Sequence, residues 1–380
     1  MPDHTDWAAC RVLFPALKKW AYFAWAATAP LSSRAAEAMQ RQIAGARDEG
    51  GGAGAWQEWY ETYEHVRREA SALTGAAPDE IALLKNTSEG VSTVAFGLDW
   101  KAGDNLVLPH GEFPANVYPW LALRERGVEI RRIAPDDAGR YTTDDVARQV
   151  DDRTRLVALS FVSYATGFRV DLAAIGKLCR ARGVFLFVDA IQGLGALPFD
   201  MRTMPVDAFA ADGHKWLCAP EGLALFYVRR EHHERLRPLS RGWWSVAQAG
   251  RYELEEQPLA NTAQRYECGT LPTANAYGLR AALELLNEVG IAAIAARIRE
   301  LTGKATQALR TRGFTIRRAE GEGEWSGIVS CETPGRDPAR LAAELEKRGV
   351  LVTARSGRLR LAVHAWNDEG DLARLLDALP

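Results

Sequence analysis

Two short stretches, residues 156–162 and 184–188, are almost unbroken in apolar residues. A strand with one face in water alternates apolar and polar side chains, so unbroken runs of this length belong in a sheet covered on both faces. That is the setting of parallel strands joined by helices. Similar runs recur at Ile81 to Leu84, Leu106 to Leu108, Val128 to Ile133, Ala208 to Ala211 and Leu223 to Val228. Helix-like stretches lie between several of them, such as Pro114 to Arg126 and Leu172 to Arg182. Each is followed by a glycine, Gly127 or Gly183, where a left-handed C-terminal cap is expected. The chain from about Glu80 is therefore expected to be α/β, with a mostly parallel, seven-stranded central sheet. After about Pro272 the pattern changes to one long Ala/Leu-rich helix, short strands at 314–317, 327–331, 350–353 and 359–363, and helices from Pro338 to Arg348 and from Asp368. This predicts a large domain over 31–271, a smaller α+β C-terminal domain over 272–380, and a segment 1–30 that packs with the small domain.

Composition removes several functional classes. With 47 basic and 49 acidic residues, a net charge of −2, nothing calls for a nucleic-acid partner. The apolar stretch Trp20 to Ala29 contains Thr28 and is too short for a membrane span. Asp3, His4 and Asp6 stand where a secretory signal would carry positive charge, so a cytoplasmic location is expected. The five cysteines (Cys10, Cys179, Cys218, Cys268, Cys331) are scattered and never form C-x-x-C, which predicts reduced thiols. His232-His233 completes no familiar metal spacing, and Gly193-Leu-Gly195 runs into Pro198 without a third glycine, so neither zinc nor a dinucleotide is expected. Gly50 to Gly54 and Glu320 to Glu324 read as flexible loops. The 12 tryptophans, with local concentrations at 56–60 and 243–244, are expected mainly in the core.

The chemistry is concentrated between residues 185 and 216. Asp189 ends a buried strand, Gln192 follows three residues on, and Gly213-His214-Lys215 lies just beyond the next strand. In an open α/β sheet these positions reach the carboxyl edge, where ligands bind. A lysine there can form a Schiff base, and a nearby acid can keep a pyridinium nitrogen protonated, the pairing that pyridoxal phosphate requires. Asn86-Thr87-Ser88-Glu89-Gly90 opens a helix after a strand. It reads either as a phosphate cradle of backbone N–H and hydroxyl groups or as a plain N-cap.

These motifs resemble the class V aminotransferases of pyridoxal-phosphate fold type I, a family that includes cysteine desulfurases, selenocysteine lyases, kynureninase and isopenicillin N epimerase. The resemblance runs from Ala27-Thr28-Ala29-Pro30-Leu31 to Trp366-Asn367. It implies that Lys215 holds pyridoxal 5'-phosphate as an imine, Asp189 pairs with the pyridine nitrogen and Gln192 contacts the ring hydroxyl. It implies too that His214, Thr87 and Ser88 serve the phosphate, and that Phe113 of His110-Gly-Glu-Phe113 stacks on the ring. By the same resemblance, Thr270 of Tyr266-Glu-Cys-Gly-Thr270 reaches the phosphate of a neighbouring subunit, which implies a homodimer with shared active sites. Arg360 matches the arginine that binds a substrate carboxylate.

The chain also departs from these relatives. Desulfurases carry a nucleophilic cysteine on a mobile loop just before that arginine, whereas the segment 353–359 has none, and Ser356 cannot hold a persulfide. Phe113 stands where desulfurases have histidine, so it stacks but moves no proton. Tyr164 stands where they tend to have asparagine near cofactor and substrate; it reads either as a proton donor or as packing. Trp243-Trp244 resembles a segment of kynureninase-like relatives. The expectation is therefore a small amino acid or amine substrate, handled through an imine with the cofactor and a Cα carbanion, with transamination or epimerase-like proton transfer as the outcome. The alternative is a carbon–sulfur or other β lyase, and a remote one is a non-catalytic cofactor-binding protein.

Overall fold

The structure is a computed structural model that describes residues 5–379; Asp3 and His4 of the N-terminal argument lie outside the described residues. Its central sheet has seven strands: β1 (Ile81–Leu84), β2 (Asn105–Pro109), β3 (Glu129–Ile133), β4 (Thr154–Ser160), β5 (Phe185–Asp189), β6 (Ala208–Asp212) and β7 (Ala224–Val228). They lie in the order β1-β7-β6-β5-β4-β2-β3. Strands β2 to β6 pair parallel, and β7 runs antiparallel to both of its neighbours. The unbroken apolar runs follow from this position. Val157, Leu159, Leu186 and Val188 enter one hydrophobic core, and Leu156, Ala158, Phe185 and Phe187 enter a second. Because successive side chains point to opposite faces, both sets must be apolar when both faces are covered.

The chain steps over β2 between β3 and β4, so the connections diverge at the β2/β4 junction. In open α/β sheets a ligand crevice forms at the carboxyl ends there. Glycines let the layers close tightly. A Cβ on Gly90 would lie 2.6 Å from the Cβ of Ala210 on β6, and one on Gly195 (φ +95°) would lie 2.4 Å from the Trp216 carbonyl oxygen. The Gly193-Leu-Gly195 segment is thus a packing turn.

Several sequence expectations are corrected. The stretch Pro114 to Arg126 is not one helix: it divides into turns of 3-10 helix at Pro114–Asn116 and Leu123–Arg126 around a short α-helix, Tyr118–Ala122, with Pro119 unable to donate to a continuing ladder. The run 156–162 leaves the sheet after Ser160, where Phe161 and Val162 enter a turn closed by Gly167 (φ +81°). The long helix after Pro272 breaks at Gly290 (φ +85°) into Thr273–Val289 and Ile291–Thr311. Helices Ser33–Asp48 and Ala53–Thr74, which the sequence pattern did not mark, pack on Thr273–Val289, and Gly54 belongs to the second of them, not to a loop.

The expected strand at 350–353 serves two sheets. Val350–Leu351 pairs with Ala21–Tyr22, and Thr353–Arg355 is the edge of an antiparallel four-stranded sheet with Arg358–Ala362, Ile328–Glu332 and Thr315–Ile316. Segment 5–30 bridges the two regions. Arg11 donates to the Trp366 carbonyl and to Asp371, both at 2.8 Å, while Ala29 N–H donates to the His214 carbonyl at 2.7 Å. Among the described residues no helix is long and apolar enough to cross a membrane. Four of the twelve tryptophans, Trp25, Trp120, Trp216 and Trp366, are completely buried, and Trp7, Trp59, Trp100, Trp244 and Trp325 are partly buried against the cores, but Trp56 and Tyr60 remain 46% and 45% exposed.

Candidate active site

Four strand ends converge at the carboxyl edge. Phe113 follows β2, Ser160 ends β4 and leads to Tyr164, Asp189 ends β5, and Asp212 ends β6 three residues before Lys215. Lys215 Nζ lies 5.5 Å from the centroid of the Phe113 ring, and that ring meets Tyr164 edge-on at 5.3 Å. Asp189 is buried, and its Oδ1 accepts the Ile191 N–H at 3.1 Å. Burial pushes the Asp189 carboxyl up to about 7; the Ile191 N–H and the Lys215 charge oppose this, while Glu112 and Asp212 add to it. Burial also brings Lys215 down to about 8, against the pull of Asp189 and Asp212 and with help from Arg360 and Arg355. The amine is thereby made nucleophilic well below the ordinary lysine range.

Beside this pair is a cradle of free polar groups. Helix Thr87–Gly97 is capped by Asn86, whose Oδ1 accepts the Glu89 N–H at 2.9 Å, while the Thr87 and Ser88 N–H groups have no intrahelical partner. Thr87 Oγ1 accepts the Asp212 N–H at 3.0 Å, and Ser88 is exposed at the mouth. His214 Nδ1 and Asp212 Oδ1 are 3.1 Å apart but not aligned as a hydrogen bond, so both remain buried polar atoms with no bonded partner. Gln192 is held by its neighbours: its oxygen accepts Trp216 Nε1–H at 2.9 Å and its amide donates to the Ala26 carbonyl at 3.0 Å.

Arg360 is 1% exposed. Its Nε donates to Thr353 Oγ1 at 3.0 Å and its Nη1 to the Tyr164 carbonyl at 2.7 Å, and no carboxylate among the described residues lies within 4.0 Å of it. Burial, with Arg355 next, brings it down to about 9. A buried guanidinium with neutral partners only is an anion site waiting for its charge. The preceding segment is a tight hairpin. Thr353–Arg355 and Arg358–Ala362 are joined by Ser356 (φ +50°) and Gly357 (φ +72°), the two left-handed positions of a two-residue turn.

The sequence-selected residues thus gather around Lys215, with one exception. Thr270 is exposed and lines a separate cavity of about 660 Å³ with Trp56, Trp59, Tyr60, Trp243 and Trp244. Three of the cysteines are buried, and burial pushes Cys179, Cys218 and Cys331 up to about 12. The adjacent histidines separate, His232 to Asp207 at 3.0 Å and His233 to the Asn261 and Val228 carbonyls. Sequence analysis assigned no role to Glu112. Its carboxylate accepts the Ser160 N–H at 2.8 Å, the Ser160 hydroxyl and the Asn116 amide, pinning the Phe113 turn to the end of β4, and burial raises it. A lone acid directly before the stacking aromatic was the only local signal.

A family model described as Aminotransferase class-V matches residues 21–371. A probable cysteine desulfurase of Methanothermobacter thermautotrophicus is 31% identical over 338 residues, covering 83% of this chain and 82% of that protein. The uncharacterized aminotransferase YcbU of Bacillus subtilis is 28% identical over 369 residues, 97% of this chain and 96% of that protein. Among solved structures, the cystine C-S lyase C-DES in complex with its reaction product cysteine persulfide superposes with a TM-score of 0.90 at 25% identity, covering 96% of this chain and 98% of that one.

Proposed function

The chain belongs to the class-V aminotransferase family, and from that premise we propose that it is a pyridoxal-phosphate-dependent carbon–sulfur lyase that needs no cysteine of its own. An S-substituted cysteine and water are converted to the free sulfur fragment, pyruvate and ammonia. The observation that carries this reading is the hairpin before Arg360. Its two-residue turn places Ser356 and Gly357 where a desulfurase presents its nucleophile on a mobile loop. The names of the relatives favour sulfur chemistry over the transamination or epimerisation expected from sequence.

The residues present fit the cofactor. The orphaned Nδ1 of His214 and the free N–H groups of Thr87 and Ser88 provide the donors that a phosphate needs, and Thr87, Ser88 and His214 would hold it. Gln192, with its oxygen and one amide proton engaged, has one proton left for the ring hydroxyl. Phe113 covers the ring and excludes water. Pyridoxal phosphate, when bound through Lys215, supplies an electron sink that makes the proton on a substrate's Cα removable. Asp189, buried and raised, takes its anionic form beside a positive pyridine nitrogen and keeps the proton on that atom. Arg360 receives the α-carboxylate and orients Cα, with the Tyr164 ring at the substrate side. Lys215, released when the substrate amine takes its place, would take the Cα proton; the electron pair left at Cα forms a Cα–Cβ double bond as the Cβ–S bond breaks with its own pair on sulfur, which leaves as a thiolate.

Cystine or an S-alkylcysteine given to the holoenzyme should yield pyruvate and ammonia in equal amounts with the released sulfur compound. Alanine together with a persulfide on the protein, or a keto acid formed only when an amino acceptor is added, would overturn the assignment.

The exposed position of Thr270 and the uncovered rings of Trp56, Tyr60 and Tyr252, the last 74% exposed, support a homodimer in which this face is shared. Sedimentation should give twice the chain mass at micromolar concentration. A monomer there would remove the shared-site reading.

A further inference from the structure

The hairpin before Arg360 carries more charge than one carboxylate requires. Thr353 stands opposite Arg360, and Arg355 stands opposite Arg358. Cross-strand partners and residues two apart share a face, so three guanidiniums lie on one face, while Leu359, on the other, is fully buried in the small-domain core. Two like charges directly opposite each other destabilise a hairpin, and here no ion pair among the described residues relieves them; Glu332, paired with Arg317, meets Arg358 only through its charge. Arg355 donates to the Ala354 carbonyl at 2.8 Å and Arg358 to the Asp137 carbonyl at 3.0 Å; among the described residues no carboxylate comes within 4.0 Å of either.

Three of the surrounding acids are committed elsewhere, while Asp137, which lines the same cavity as Arg358, forms no ion pair within 4.0 Å among the described residues. Glu112 is bound to Ser160 and Asn116, Asp136 to Arg140, and Glu332 to Arg317. Arg358 and Ser356 line a cavity of about 330 Å³ that also reaches Glu112 and Tyr164, the aromatic beside Phe113. Arg355 acts on the Lys215 amine through its charge, as Arg360 does. Like charges opposed with no ion pair among the described residues point to a ligand that supplies one.

We propose that Arg355 and Arg358 form a second anion subsite, so that the preferred substrate is an S-substituted cysteine whose leaving sulfur group carries its own carboxylate or a comparable anion. The sulfur chemistry in this statement rests on the lyase reading above; the subsite does not. Arg360 takes the α-carboxylate at the buried end, and the outer pair takes the distal anion at the mouth.

The test compares S-(2-carboxyethyl)cysteine with S-propylcysteine, which differ little in size, on the holoenzyme. Dissociation constants are read from the change in cofactor absorbance on mixing, and sulfur release is measured separately. The dianionic compound should bind roughly ten- to hundredfold more tightly at low ionic strength, and added salt should shrink the difference. Arg355→Gln and Arg358→Gln should each reduce the ratio, the double variant should bring it toward one, and Arg355→Lys should restore part of it. Both side chains sit at the outer end of the hairpin, so the single variants report even where the double variant folds poorly. Equal affinity of the wild-type enzyme for the two compounds, or a ratio untouched by the substitutions, would overturn the subsite. A preference that the variants abolish, with no sulfur released from either compound, would keep the subsite and discard the lyase reading.

Discussion

Replacing Lys215 with alanine should abolish the absorbance that the cofactor acquires on its lysine and lower kcat by at least roughly 10²–10⁴-fold, the loss from the proton-transfer group alone. The effect follows from placement. Lys215 sits where β6 has delivered it, against the Phe113 ring and within the fields of Asp189, Asp212, Arg355 and Arg360, and among the described residues no other lysine contributes to that group of side chains. Its pKa sets a second observable. Burial lowers the amine from 10.5 to about 8, so the neutral, nucleophilic form predominates above pH 8, and the rate of cofactor capture by the apoprotein should rise through pH 8 and level off beyond it. The stability of the apoprotein moves in the same sense. Between about pH 8 and 10.5 the unfolded chain holds the lysine proton and the folded one does not, so this group's destabilisation is full below pH 8 and is relieved as the pH rises through that window. Wild-type turnover in Lys215→Ala would refute the assignment, and a capture profile with its inflection near 10.5 would show that the amine is not desolvated.

What could be read from the sequence was carried by local signals. Apolar runs marked both-face burial, and the polar residues just past them, Asp189 and Lys215, were brought to one edge by the parallel topology. What could not be read depends on register between distant segments. The opposition of Arg355 and Arg358 exists only because a two-residue turn fixes the pairing. The brace from Glu112 to Ser160 spans β2 and β4.

The same holds for the tryptophan excess. His364, fully buried and driven down to about 3 by burial, lies against Trp25, Trp216 and Trp366 at centroid distances of 4.8, 5.8 and 5.1 Å, with Cys218 Sγ 3.9 Å from its Nε2. That cluster joins segment 5–30, the Lys215 turn and the C-terminal region, so the aromatics that composition merely counted are the wall behind Lys215. By contrast, the 56–60 group was expected in the core and is partly exposed. The segment 353–359 holds no cysteine, and the names of the relatives favour the carbon–sulfur alternative over the transamination expected first.

Arg360→Leu separates function from stability more sharply than any other substitution in the site. The guanidinium is 1% exposed and faces neutral oxygens only, Thr353 Oγ1 and the Tyr164 carbonyl. Its loss should raise KM for an amino acid substrate by roughly 10²-fold, the scale of a charge-assisted bidentate contact at about 3 kcal/mol. Stability should move the other way. A buried cation without an acid partner is desolvated at a cost that the apoprotein never recovers, and an apolar side chain of similar bulk removes it, as replacements of buried charges often do. The two acceptors left behind offset part of the gain, at about 1 kcal/mol each, so the urea midpoint of the apoprotein should be unchanged or higher. Arg360→Lys keeps the charge but loses the planar fork and should fall between wild type and leucine in KM. A leucine variant with normal KM would remove Arg360 from substrate binding, whereas one with normal affinity for the cofactor but a markedly lower midpoint would make it a structural strut. The expected pattern, weaker substrate binding without a weaker fold, is that of a side chain kept for its ligand.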